Sequence, residues 1–195
     1  MGVKGRRGKP RKRKRKQKGR KEHVAENGLT HSKIIEYSRK VLKRAGMRWK
    51  CGITVSELST INSETPDILG FYSGGASLIE AKASRSDFLS DKKKPFRKSP
   101  ETGMGNYRFY ACPSGIIKEN ELPENWGLIY VSAKGRCTLK VKPKWQRSNT
   151  KAEHMFMYSI IRRIVLYHNS KEIEEFIKKH SDYAERKANV QTFLG

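Results

Sequence analysis

The stretch Pro66-Asp67-Ile68-Leu69-Gly70-Phe71-Tyr72-Ser73-Gly74-Gly75-Ala76-Ser77-Leu78-Ile79-Glu80-Ala81-Lys82 decides how this chain folds. Two apolar runs of strand length, Ile68 to Tyr72 and Ser77 to Ala83, flank Ser-Gly-Gly-Ala, which predicts a β-hairpin. With Gly74 and Gly75 as the central turn residues, Ser73 faces Ala76, Asp67 faces Lys82 and Leu69 faces Glu80. Glu80 and Lys82 stand two apart on one strand and so share a face. Asp67 projects on that face, diagonal to Glu80 at about 7–8 Å. Such a gap is too wide for direct contact and suits a cation bridging two carboxylates.

Two carboxylates and an ammonium on one patch have a chemical use. Hard oxygen ligands suit Mg²⁺, with Mn²⁺ as a substitute; Mg²⁺ keeps several waters and binds through one or two carboxylates plus substrate phosphate. It would polarise a phosphoryl oxygen and acidify a water, while Lys82 holds that water and offsets transition-state charge. A plainer reading has Asp67 satisfying turn amides after Pro66 and Lys82 pairing with it across the strands. Both readings bring the two residues together. Glu80, beside Leu78 and Ile79, is expensive to bury unless paired.

Outward from the hairpin, the spacing of Ile34, Ile35, Ser38, Val41 and Leu42 predicts a helix over Ser32–Ala45, capped by Thr30 and stopped at Gly46. Met47–Leu58 reads as a first strand. Ser84–Lys94 reads as a short helix closed by Pro95, with Asp87 and Asp91 complementing its dipole. Residues 95–106, rich in Gly and Pro, read as a mobile loop. Tyr107–Cys112 reads as a strand, and Trp126–Ser132 with Arg136–Val141 as a second hairpin around Lys134-Gly135. Two helices follow. Glu153–Tyr167 turns Phe156, Ile160, Ile161, Ile164 and Tyr167 inward, and Lys171–Lys187 carries Ile173, Phe176, Ile177 and His180 on one stripe. This order predicts an α/β (α+β) fold, a mixed sheet flanked by helices. The domains expected are a disordered basic tail (1–27), a core (28–145) and a C-terminal helical appendage (146–195).

The 195 residues carry a net charge of +24. Residues 1–21 supply 13 Lys and Arg and no acid, leaving +11 on the other 174. With no Leu, Ile or aromatic residue, this segment cannot build a core; its cations suit phosphates, in a salt-dependent way. No apolar run is long enough to span a membrane, and no secretory apolar region follows the charges. Three distant cysteines, Cys51, Cys112 and Cys137, exclude a disulfide framework and fit a reducing compartment. The five histidines show no metal-site spacing.

The order Pro66-Asp67, twelve residues, Glu80-Ala81-Lys82 resembles the PD-(D/E)xK nuclease superfamily. Its continuation, IEAKASRSDFLSDKK (79–93), YRFYACP (107–113) and ELPENWGLIYV (121–131), is similar to the MmcB-like DNA-repair group and related phage proteins. The resemblance covers residues 31–142. Ala81 stands where a larger apolar residue is usual, and Lys92-Lys93-Lys94 is more basic than the pattern. It implies a restriction-endonuclease-like core and a Mg²⁺-dependent DNA endonuclease in repair, recombination or phage DNA metabolism. Asp67, Glu80 and the Ala81 carbonyl would hold the metal. Lys82 would position the water, and Glu36 on the first helix would lend a further carboxylate, against a plain i,i+4 pairing with Lys40.

Ser84 and Arg85 are candidate phosphate contacts. Lys92, Lys93, Lys94, Arg97 and Lys98, with Arg11, Lys12, Arg13, Lys14, Arg15 and Lys16 of the tail, are candidate DNA contacts. The expected partner is DNA, with homodimerisation left open and no membrane. The expected location is cytoplasmic, on the nucleoid or in the host cytoplasm of a phage. The rival readings are a non-catalytic DNA- or RNA-binding module on a nuclease fold, and a basic RNA-binding protein of ribosomal type.

Overall fold

The computed structural model describes residues 28–60, 64–168 and 170–179. Tail residues Arg11 to Lys16, and the final helix beyond residue 179, lie outside the described residues. Six strands form one sheet in chain order: β1 (Ile53–Ser56), β2 (Ile68–Tyr72), β3 (Gly75–Ala81), β4 (Tyr107–Cys112), β5 (Trp126–Val131) and β6 (Cys137–Val141). The pairs β3–β4 and β4–β5 are parallel, and the pairs β1–β2, β2–β3 and β5–β6 are antiparallel. Helix α1 (His31–Ser38) covers one face. On the other lie α2 (Arg85–Asp91), the single turn α3 (Pro95–Lys98) and α4 (Thr150–Tyr167). Among the described residues, no helix is long and apolar enough to cross a membrane.

Strand alternation divides the core. Ile79, Ala81, Phe109 and Ala111 pack toward α1. Leu69, Leu78, Tyr110 and Cys112 pack toward Phe88 and Phe156. Every residue of β4 is buried, as expected of a central parallel strand covered on both faces. Helix α1 keeps the predicted inward face of Ile34, Ile35 and Ser38, capped by the Thr30 hydroxyl. It then tightens into a 3₁₀ turn over Arg39–Lys43 that buries Val41 and Leu42. The predicted first strand shrinks to Ile53–Ser56. Residues 47–50 instead form a turn, Lys50 N donating to Met47 O at 2.9 Å, which drives Trp49 edge-on against Tyr107 and Phe109.

The hairpin forms with a different register from the one expected. Tyr72 pairs with Gly75 and Phe71 with Ala76, so the turn residues are Ser73 and Gly74. Gly75 opens β3 at φ +149°, where a Cβ would lie 2.1 Å from the Asn106 side-chain oxygen. That oxygen accepts from the Ala76 amide at 3.2 Å, and the close approach requires glycine inside the strand rather than in the turn. A slip of two preserves the side-chain parity, so Asp67, Glu80 and Lys82 keep a common face. Continued one residue back, this register sets Asp67 opposite Glu80 instead of diagonal to it.

Residues 95–106, expected as a mobile loop, are ordered. Pro95 starts α3 instead of only closing α2, and Phe96, Arg97, Met104 and Asn106 are buried. The segment wraps the fully buried Arg108, whose guanidinium donates to the carbonyls of Gly105, Pro100 and Gly103 at 2.8, 2.7 and 2.9 Å.

The packed body also continues past residue 145. Glu153 accepts from the Gly105 amide at 2.8 Å, and Phe156 is buried 6.1 Å from the Phe71 ring. The inward face predicted for α4 holds at Phe156 and partly at Ile160. Ile161, Ile164 and Tyr167 are exposed, because the helix runs past the sheet that its first turns cover; Phe176 and Ile177, beyond α4, are exposed as well. Phe156→Ala is expected to cost about 3–5 kcal/mol. Ile161→Ala should stay within about 0.5 kcal/mol, and urea titrations of the two variants beside wild type check both values.

Candidate functional site

The carboxyl end of β3 and the start of β2 open on a cleft of about 1320 Å³. Asp67, Glu80 and Lys82 line it, with His31 from α1, Ser84 and Asp87 from the start of α2, and Lys94 and Phe96 across from them. In open sheets with parallel strands, ligands commonly sit beyond such carboxyl ends. The hairpin brings the three predicted residues together; the flanking helices decide what surrounds them.

Asp67 sits where β2 begins. Its Oδ2 accepts from the Ala81 amide at 2.8 Å and lies 3.3 Å from His31 Nε2. Burial pushes the carboxyl pKa up, but the His31 contact, the Lys82 charge and the Ala81 amide outweigh it and hold the group below its ordinary value. The same contact raises His31, against the opposing effect of its burial. The Lys82 amide bonds to Ala111 O in β4, so strand alternation turns the Ala81 amide and carbonyl the other way, toward Asp67.

Glu80 and Lys82 lie on the cleft floor, almost wholly buried. Lys82 Nζ is 3.2 Å from Glu80 Oε2 and 3.3 Å from Asp91 Oδ1. Burial opposes the ammonium charge, yet Glu80, Asp91 and Asp67 together raise its pKa, so Lys82 stays a cation. Burial dominates at Glu80 and pushes it up to about 7, helped by the nearby Asp67 charge and opposed by Lys82 and Arg97. Glu80 Oε1 is buried without a hydrogen bond. Arg97 Nη2, 3.1 Å away, attracts it by charge but is not aligned to donate.

Asp91 and Arg97 complete the floor. Asp91, expected within the first turns of a helix reaching Lys94, is the last residue of α2. It accepts from Arg97 Nε at 2.8 Å and from the Tyr110 hydroxyl at 2.7 Å, and pairs with Lys94 at 2.6 Å. Arg97, expected to face DNA, is buried. Its Nη1 reaches Glu64 Oε1 at 2.9 Å, and its guanidinium lies over the Phe96 and Trp126 rings at 4.7 and 4.6 Å.

Asp91 gives a pH prediction. Burial acts to raise its carboxyl, but the charges of Lys82 and Arg97 and the Lys94 and Arg97 hydrogen bonds hold it far below the ordinary 3.8. A depressed carboxylate stabilises the fold fully above its unfolded pKa and loses that contribution as pH falls toward the folded value. Asp91→Asn should therefore be clearly less stable than wild type at pH 7, and the gap should narrow below about pH 4. Urea midpoints across pH check this; a gap constant down to pH 3 would contradict it.

The remaining predicted site residues divide. Ser84 caps α2 by accepting from the Asp87 amide and lines the cleft, as does Lys94. Arg85 turns away, paired with Glu121 and donating to Ile116 O, because α2 points its first turn at the 116–121 loop. Lys92 lies over the Phe88 ring at 4.9 Å, and Lys93 and Lys98 are exposed outside the cleft lining. Glu36 is exposed on α1 and outside the lining; the residue that α1 sends to Asp67 is His31 from its first turn.

Nothing in the sequence marks His31 or Glu64 as site residues. Neither belongs to a spaced motif, and each reaches the site only through tertiary packing. Asp91 had a signal: it stands three residues after the buried Phe88, on the same helix face.

Among the described residues, no three His, Cys, Asp or Glu side chains are disposed to cage a metal. The donors present fit a weakly held hard cation: the Asp67 and Glu80 carboxylates and the Ala81 carbonyl turned toward Asp67, with one Glu80 oxygen, Oε1, directed at Arg97 Nη2. No family model, curated protein or solved structure matches this chain.

Proposed function

We propose that this chain is a divalent-metal-dependent endodeoxyribonuclease of the PD-(D/E)xK type. The observation that carries the reading is the convergence of Asp67, Glu80 and Lys82 on one cleft, with Lys82 held as a cation by Glu80 and Asp91. Asp67, Glu80 and the Ala81 carbonyl would hold Mg²⁺, which when bound supplies charge to the scissile phosphate and the departing oxygen. Lys82 is kept protonated, so it serves as donor and counter-charge and not as a base. Its ammonium orients the attacking water and opposes charge building on the phosphoryl oxygens. His31 fixes the Asp67 carboxylate, and Asp91 with Arg97 fixes Lys82 and Glu80. Hydrolysis would be in line, without a covalent enzyme intermediate.

A second reading rests on the same buried network. Glu80, Lys82, Asp91 and Arg97 neutralise one another, as they would in a module that docks on nucleic acid without cutting it. Incubation with plasmid, single-stranded and branched DNA, with Mg²⁺ or with EDTA, separates the two. Cleavage that needs Mg²⁺ and vanishes in Lys82→Ala supports the nuclease. Equal behaviour of wild type and Lys82→Ala on every substrate removes it.

A further inference from the structure

Residues 125–152 hold seven Lys and Arg and no acid. Part of this stretch is an extended strap after β6. Its backbone is pinned to the body: Lys144 N donates to Asn125 O, Gln146 N to Asn106 O and Asn149 N to Gly103 O, at 3.0, 3.0 and 2.9 Å. Arg108 also donates to Arg147 O at 3.2 Å. Pro143, Gln146 and Ser148 face inward and are buried. Lys142, Lys144, Trp145 and Arg147 therefore face outward on a fixed backbone. Trp145 is 60% exposed, whereas Trp49 and Trp126 are 6% and 4% exposed.

A large aromatic ring held in water between cations does not serve the core. Cations spaced along an extended backbone match successive phosphates, and an exposed indole offers a stacking face that any base can use. We infer that the strap is a binding site for single-stranded nucleic acid, in which a base stacks on Trp145 and Lys142, Lys144 and Arg147 pair with the flanking phosphates. Duplex fits it less well, because its bases are already stacked and presented edge-on. The strap abuts the 100–106 segment, whose preceding residues Lys94, Pro95 and Phe96 form one wall of the cleft. The inference does not need the cleft to cut DNA.

The test uses the full chain in EDTA, titrated with oligo(dT) while tryptophan fluorescence is recorded. Saturable quenching is expected from oligo(dT), with much less from duplex of equal length and none from heparin, which has charge but no bases. Trp145→Ala should abolish the quenching and weaken binding about tenfold. Trp145→Phe should restore most of the affinity. Replacing Lys142, Lys144 and Arg147 with alanine should lower the salt slope by about 2. Equal quenching by oligo(U) supports the same site, since the sugar is not read. Heparin quenching as strongly as oligo(dT), or Trp145→Ala binding with wild-type affinity, would overturn the inference. Cleavage plays no part in the readout, so an inactive cleft would leave it standing.

Discussion

Replacing Arg97 with alanine is expected to lower stability by about 3–5 kcal/mol, because it strips the counter-charge from carboxylates sealed in the interior. Three of them face this guanidinium: Glu64 through Nη1, Glu80 through Nη2 and Asp91 through Nε. The planar fork is matched to that task, and Arg97→Lys should recover less than half of the loss, since a compact ammonium lacks the three separate nitrogens that reach the three carboxylates. The rings of Phe96 and Trp126 would also lose their packing partner. Lys98→Ala, one residue on and exposed, should stay within about 0.5 kcal/mol. Urea midpoints for the four proteins decide the matter. A cost below about 1 kcal/mol for Arg97→Ala would mean that water enters the floor of the cleft and screens the charges.

Asp67→Asn should reduce Mg²⁺-dependent cleavage by at least about a hundredfold, the scale on which one preorganised charged group acts in a transition state. The substitution keeps the shape of the side chain and can still accept from the Ala81 amide, so folding should change little. Affinity for uncleaved DNA in EDTA should be unchanged or slightly higher, since one negative charge has left a surface that approaches phosphate. This separation of cutting from binding is what a docking module cannot produce. Lys82→Ala is the less clean variant, because it also leaves Glu80 and Asp91 without their shared cation. Thermal melts must accompany its cleavage data. If Asp67→Asn cuts as well as wild type, the carboxylate has no part in the chemistry and the pairing with His31 is structural.

The succession of strands and helices along the chain, the strand Tyr107–Cys112, the second hairpin and the inward stripe of α1 were legible in the sequence, because each follows from alternation or helical spacing over neighbouring residues. So was the sharing of one face by Asp67, Glu80 and Lys82, which parity protects even when the register slips by two. The register itself was decided by Asn106, a residue of the next strand region, whose approach claims Gly75. The ordering of residues 95–106 was decided by Arg108, which must find carbonyls once β4 is buried. The burial of Arg97, the distance of Glu36 from the cleft and the arrival of His31 at Asp67 were also matters of packing. A run of charges reads alike in sequence whether it faces water or an interior partner. Sequence determined which groups the hairpin would present; only the tertiary structure decided which other charges would meet them, since a buried ion's partner is chosen by proximity in space and not along the chain.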